Sequence, residues 1–221
     1  NNSGYKVVVT NKTKYQGKTV IIATGAKNRP LGINNEDKLT GAGVSYCATC
    51  DGAFFRGKDV AVVGGGNTAL EDAMFLSDYC NLVYVIHRRN EFRGEKGLSD
   101  ILNEKRNVKF VFDSVVKSIK GEQSVEGMEI LNVKKNTLSE IKVQGVFIAI
   151  GQMPDNEKFS DMVELDGKGY IKADETCATN TEGVFVAGDC RTKQVRQLTT
   201  AASDGAVAAL AACSYINKIN Q

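Results

Sequence analysis

Hydrophobic residues along this chain fall into short dense runs between polar turns, and one segment joins three such blocks in a fixed order. Val60-Ala61-Val62-Val63 is apolar and β-branched, and short enough for a strand buried on both faces. Three glycines follow, and then Leu70, Ala73, Met74 and, less strictly, Leu76 repeat at the spacing of one helix face. Leu82-Val83-Tyr84-Val85-Ile86 closes a strand–helix–strand unit. Between the first strand and the helix, Gly64, Gly66 and Ala69 fill a Gly-x-Gly-x-x-Gly/Ala pattern. In that pattern Gly64 allows the tight turn, Gly66 lets the backbone approach a pyrophosphate, and Ala69 lets helix and strand pack closely. Phosphates then sit at the helix N-terminus, at Asn67 and Thr68, where unpaired N–H groups and the helix dipole favour negative charge. A glycine triplet alone would be only a flexible turn; the flanking strands and helix turn it into a dinucleotide site.

The end of the second strand selects the dinucleotide. An NAD site places Asp or Glu about 20 residues after the glycines to hold the ribose 2′-hydroxyl. Here the chain has His87-Arg88-Arg89, with Arg93 one helical turn on. Guanidinium groups present planar, paired donors to phosphate oxygens, so the cluster points to the 2′-phosphate of NADPH rather than to a solvated basic patch.

Before this unit, Tyr5–Val9 and Thr19–Ala23 read as strands, the second buried, with Asn11–Lys14 as turn material. Ala23-Thr24-Gly25-Ala26 is small enough for the backbone to lie against something flat or bulky. Lys27–Thr40 is a polar connector broken by Arg29-Pro30, and a domain crossing is placed there. After the unit come a helix over Glu95–Glu104 with Leu98, Ile101 and Leu102 on one face, and a strand over Val108–Phe112. Three alternating strands between Val115 and Val143 form a meander. Gly145–Gly151 is a buried strand, followed by the second crossing. Tyr170–Lys172 and Gly183–Ala187 are strands, the latter running into Gly188-Asp189. A carboxylate at a strand's C-terminal end is where α/β sheets bind ligands. Thr199–Ile216 is an Ala-rich helix with a tight face of Ala201, Ala202, Gly205, Ala208 and Ala209.

Composition changes this picture little. The charges, 28 basic against 26 acidic, give no reason to expect nucleic acid or an anionic membrane as partner. No apolar run reaches membrane-spanning length, and no signal peptide opens the chain. Six cysteines are too few for a disulfide scaffold and suit a reduced cytoplasmic protein with one redox pair, Cys47 and Cys50. A second ligand pair at zinc spacing is missing, and the only histidine is His87, so no metal site is expected. Asp51 follows the C-x-x-C at once, a carboxyl placed to exchange protons beside a dithiol whose thiolate form attacks disulfides. Cys80, Cys177, Cys190 and Cys213 read as small core residues.

Taken together, Cys47-Ala48-Thr49-Cys50-Asp51-Gly52, Gly64–Ala69, His87-Arg88-Arg89 with Phe92-Arg93, Ala23-Thr24-Gly25, and Gly188-Asp189 with Arg196-Gln197 resemble the low-molecular-weight thioredoxin reductases over the whole chain and in the same order. The resemblance implies an α/β protein of two Rossmann-like domains. An NADPH domain with the redox C-x-x-C (28–150) is inserted in an FAD domain (1–27 and 151–221). It implies electron flow from NADPH through FAD to the Cys47–Cys50 disulfide and on to a thioredoxin-like protein, in a homodimer. Cys50 would face the flavin, Cys47 would attack the thioredoxin disulfide and Asp51 would donate and accept protons. Asp189 would bond the FAD ribityl or phosphate region, with Thr24 and Gly25 also at the FAD, while Arg196 and Gln197 would lie along the isoalloxazine. Hinges for domain rotation fall near Lys27–Leu31 and Ile150–Asp155. The family's glycine-rich N-terminal turn for the ADP half of FAD has no counterpart here, so the FAD half is expected to be truncated and the chain alone to bind NADPH without turnover. Two other readings are a flavoprotein reductase serving an alkyl hydroperoxide peroxidase, which would use NADH with an acidic residue at the Arg88-Arg89 position, and a non-catalytic nucleotide-binding fragment.

Overall fold

The computed structural model describes residues 4–221. By its internal contacts the chain divides into two units: the described residues up to Lys27 with Gln152–Gln221, and Asn28–Gly151.

In the first unit, β1 (Lys6–Val9) pairs antiparallel with β2 (Lys14–Gly17). Thr10 Oγ1 ties their turn by accepting from Thr13 N–H at 3.1 Å. Lys14, read as turn, therefore belongs to a strand. In β3 (Val20–Ile22) only Ile22 is buried, contrary to the expectation of a fully buried strand: Val20 is half-buried, and Ile21, whose side chain alternates to the opposite face, is 41% exposed. β4 (Ala26–Asn28) leads out of the unit.

The connector that follows is not wholly turn. It contains α1 (Glu36–Leu39), one turn of helix fixed by the fully buried Leu39 and by Glu36, whose carboxylate accepts from the N–H groups of Leu31, Gly32 and Ile33. Next come β5 (Val44–Ser45), α2 (Ala48–Asp51), a short 3-10 turn, β6 (Asp59–Gly64), α3 (Asn67–Ser77), β7 (Leu82–Ile86), α4 (Lys96–Glu104) and β8 (Val108–Val111). A meander of β9 (Ser114–Lys120), β10 (Gly127–Asn132) and β11 (Thr137–Ile141) precedes β12 (Gly145–Ala149). The five parallel strands stand in the order β5-β12-β6-β7-β8.

Strand alternation explains why β6 is apolar from Val60 to Val63. Val60 and Val62 pack with Leu70, Ala73 and Leu76 of α3 and Leu102 of α4, while Ala61 and Val63 pack with Val116, Ile119, Met128 and Ile130 of the meander. The sheet is thus covered by helices on one face and by the meander on the other. Each fully buried leucine on α3 and α4 contributes about 2 kcal/mol of apolar burial. Ile101, read as part of the α4 core face, is exposed.

Back in the first unit, β13 (Gln152–Pro154) is followed by β14 (Val184–Val186), which pairs parallel with β3, and by α5 (Leu198–Ile219). Val184 and Val186 pack with Ile22, Val163 and Ile171; Phe185 and Ala187 pack with Ala208 and Ala212 of α5. Tyr170–Lys172 is not a strand: Ile171 makes only isolated bridges to Leu165 and Arg191. The buried line on α5 is Asp204, Ala208 and Ala212, whereas Ala202 and Ala209, read as part of the tight face, are exposed. Their side of the helix has no partner among the described residues, and Leu210 there is 71% exposed. Cys213 is exposed as well and is not a core residue, unlike Cys80, Cys177 and Cys190. No helix among the described residues is long and apolar enough to cross a membrane.

Candidate active site

Because β5, β6 and β7 run parallel, the residues that leave them gather along one edge of the sheet: Cys47 after β5, Gly64–Gly66 from the last residue of β6 and His87–Arg89 after β7. The three glycines act by space rather than by left-handed backbone, since none has positive φ. A Cβ on Gly64 would lie 2.4 Å from the Ala149 carbonyl oxygen and 2.6 Å from Ala69 Cβ, so this glycine lets the helix approach the sheet. A Cβ on Gly65 would lie 2.2 Å from the His87 ring. Around Gly66 nothing stands within 4 Å. That open space sits at the N-terminus of α3, whose first turn carries no side-chain cap and no acidic residue. Free N–H groups beside this open space fit a pyrophosphate. Thr68 is exposed at this end, and Ala69 is buried against the sheet.

His87 departs from its expected place among the nucleotide contacts. Its ring is 5% exposed, lies beneath Gly65 and tilts against Phe92. Burial, and then the charge of Arg93, hold its pKa below the ordinary value, so it is neutral, and its Nε2 has no partner among the described residues. Arg88, Arg89 and Arg93 are exposed and form no salt bridge among the described residues. Three unneutralised guanidiniums beside an anion cradle fit a further phosphate.

Cys47 and Cys50 are joined in a disulfide, with Cα atoms 5.3 Å apart. Cys47 is half-buried, Cys50 is exposed, and Cys50 N–H donates to Cys47 Sγ at 3.2 Å. Asp51 is oriented by a residue that motif reading passed over. Buried Ser45 donates to Asp51 Oδ2 at 2.7 Å and accepts from Cys47 N–H at 3.1 Å. Gly52 has no room for a side chain, since a Cβ would lie 2.9 Å from the Phe75 ring of α3. The disulfide turn is thereby packed on the helix of the glycine loop. Two residues further on, Phe54 is 74% exposed.

In the other unit, parallel β3 and β14 bring Thr24-Gly25 and Gly188-Asp189 to the same edge of their two-stranded sheet. Thr24 Oγ1 donates to Asn156 Oδ1 at 3.1 Å, and buried Asn156 donates in turn to the carbonyls of Gly169 and Cys190. No sequence pattern marks Asn156. Asp189 Oδ1 is buried without a partner among the described residues, a free acceptor that fits a hydroxyl donor such as a ribityl chain offers. Arg196 lies 4.0 Å over the Tyr170 ring and donates to the carbonyls of Asp189 and Arg191. Gln197 caps α5 in a reciprocal box with Thr200.

A family model described as pyridine nucleotide-disulphide oxidoreductase matches residues 2–205. The 34.2 kDa protein in the rubredoxin operon of Clostridium pasteurianum is 46% identical over 96% of this chain and 68% of that protein. The thioredoxin reductase of Streptomyces coelicolor is 44% identical over 95% of this chain and 66% of its own length. The crystal structure of thioredoxin reductase from Streptococcus pyogenes superimposes with a TM-score of 0.92 at 43% identity, covering 99% of this chain and 72% of that one. The chain therefore spans about two thirds of the length of these curated relatives.

Proposed function

Since the chain belongs to the pyridine nucleotide-disulphide oxidoreductase family, among the thioredoxin reductases, we propose that it serves NADPH-dependent reduction of a thioredoxin-like protein through the Cys47–Cys50 disulfide. The observation that carries this is the disulfide itself, formed between residues 47 and 50 next to Asp51 and packed on the helix of an open phosphate cradle. NADPH and FAD, when bound, would supply hydride and two-electron chemistry. Gly66 and the first N–H groups of α3 take the pyrophosphate, Arg88, Arg89 and Arg93 take the 2′-phosphate, and Asp189, with Thr24 and Gly25, binds the polar end of the flavin. Arg196 and Gln197 would stand beside its ring.

Two electrons and two protons convert the Cys47–Cys50 disulfide to a dithiol. Cys50, exposed, is open to the electron donor, and Asp51, fixed by Ser45, supplies and removes protons at the sulfurs. Cys47 attacks the partner disulfide as a thiolate, forming a mixed disulfide; Cys50 then displaces the reduced partner and restores the Cys47–Cys50 bond. Phe54, four residues after Cys50, offers an exposed aromatic surface for a protein substrate.

The reaction is tested in reverse, so that the disulfide chemistry is read without a flavin. The oxidised chain is mixed with reduced thioredoxin, and its thiols are counted by alkylation and intact mass. Thioredoxin should reduce Cys47–Cys50 much faster than dithiothreitol at equal concentration. Phe54→Ala should slow thioredoxin about tenfold and leave dithiothreitol unchanged. Equal rates with both reductants in the wild type would refute a thioredoxin-like partner.

A further inference from the structure

The two loops assigned to the nucleotide are joined to each other. The Gly65 carbonyl oxygen accepts from Arg93 N–H at 2.7 Å and from Gly94 N–H at 3.1 Å. Asn67 and Glu95 then form a reciprocal pair. Glu95 N–H donates to Asn67 Oδ1 at 2.8 Å, and Asn67 Nδ2 donates to Glu95 Oε1 at 3.0 Å. Between them Gly94 is packed too tightly for a side chain, since a Cβ there would lie 2.7 Å from Leu70 Cδ1 and 3.0 Å from Asn67 N.

Glu95 stands just before α4, yet its side chain makes no cap bond to that helix and turns to Asn67 instead. Its charge argues against any direct use in binding. A carboxylate two residues from Arg93 opposes the approach of a phosphate. The acceptor oxygen, not the charge, is what the geometry employs. Resting on the NADPH reading, we propose that Glu95 is a positioning residue for nucleotide selectivity: its side chain pins Asn67 and so fixes Arg93 against the glycine loop for the 2′-phosphate.

This assignment separates the acceptor from the charge, and two substitutions do the same. Glu95→Gln keeps the acceptor and loses the charge; Glu95→Ala loses both. NADPH and NADH binding to the whole 221-residue chain is measured by calorimetry for the wild type and both variants. Glu95→Gln should bind NADPH as tightly as the wild type or somewhat tighter. Glu95→Ala should bind NADPH about fivefold more weakly, with NADH changed less than about twofold. Four results overturn the proposal while leaving the NADPH reading in place: tighter NADPH binding in both variants, no change in Glu95→Ala, equal weakening of both nucleotides, or weakening in Glu95→Gln as great as in Glu95→Ala. A wild-type chain without preference for NADPH would overturn the reading and the proposal together.

Discussion

Tyr46, next to the disulfide, donates to Glu36 at 2.7 Å, and Glu36 is a carboxylate only 2% exposed. Three backbone N–H groups and one phenol satisfy that buried charge, which is how it is tolerated. Burial first, and then the hydrogen bond to Glu36, push the Tyr46 pKa up from 10.0 to about 12. A folded pKa above the unfolded one contributes stability that is full below pH 10 and is lost as pH rises toward 12. Tyr46→Phe should therefore cost about 1 kcal/mol at neutral pH, and the gap to the wild type should close as pH rises through that window. Urea melts at neutral and alkaline pH check it; a gap that stays constant with pH would mean that the phenol is not the titrating group.

At the scale of elements, the turn between β6 and α3 gives its first and third glycines opposite tasks. Gly64 is closed in by Ala149 and Ala69, whereas Gly66 faces open space. Gly64→Ala must push the helix or β12 aside, so it should destabilise the chain by about 2 kcal/mol. Gly66→Val should leave the thermal midpoint nearly unchanged and abolish NADPH binding, because its side chain fills the space assigned to the pyrophosphate. Melting and titration of both variants decide the matter. Normal NADPH binding by Gly66→Val would place the phosphate site elsewhere.

At the scale of the whole molecule, a buried charge cluster among the described residues lies in the unit built on β3, β14 and α5. Asp204 accepts two bonds from Arg191, at 2.9 and 2.8 Å, one from Lys193 at 2.8 Å and one from Gly188 N–H at 2.9 Å. It ties α5 to the turn that carries Asp189. Arg191, above all, holds the Asp204 carboxyl well below the usual carboxylate range. A depressed folded pKa gives stability that is present above the unfolded value, near pH 4, and is lost as pH falls below it. Asp204→Asn leaves buried Lys193 without its counter-charge and Arg191 with only the exposed Glu175 carboxylate, 3.2 Å away, and should cost about 3 kcal/mol at neutral pH. The difference from the wild type should shrink on acidification below about pH 4. Denaturant melts from neutral to acid pH test this, and an unchanged difference in acid would assign the effect to packing.

The sequence by itself determined what depends on local order. Apolar runs fixed β6, β7 and β12 of the inserted sheet, because burial on both faces demands apolar residues on both sides of the strand; the two-residue β5 was not legible. The glycine pattern fixed the turn and the helix start, and the spacing of Cys47 and Cys50 pointed to the disulfide they form, because these features lie within a few residues of each other. Only the tertiary structure decided what depends on partners far along the chain. It put His87 beneath Gly65 rather than on the cradle surface, selected Asp204, Ala208 and Ala212 as the buried line of α5, and left Cys213 outside. It also introduced Asn156, Ser45 and Glu95, whose bonds to Thr24, Asp51 and Asn67 span 132, 6 and 28 positions. A polar side chain in such a role looks like any other polar side chain in the sequence, since its meaning lies in the donor or acceptor that folding brings to it.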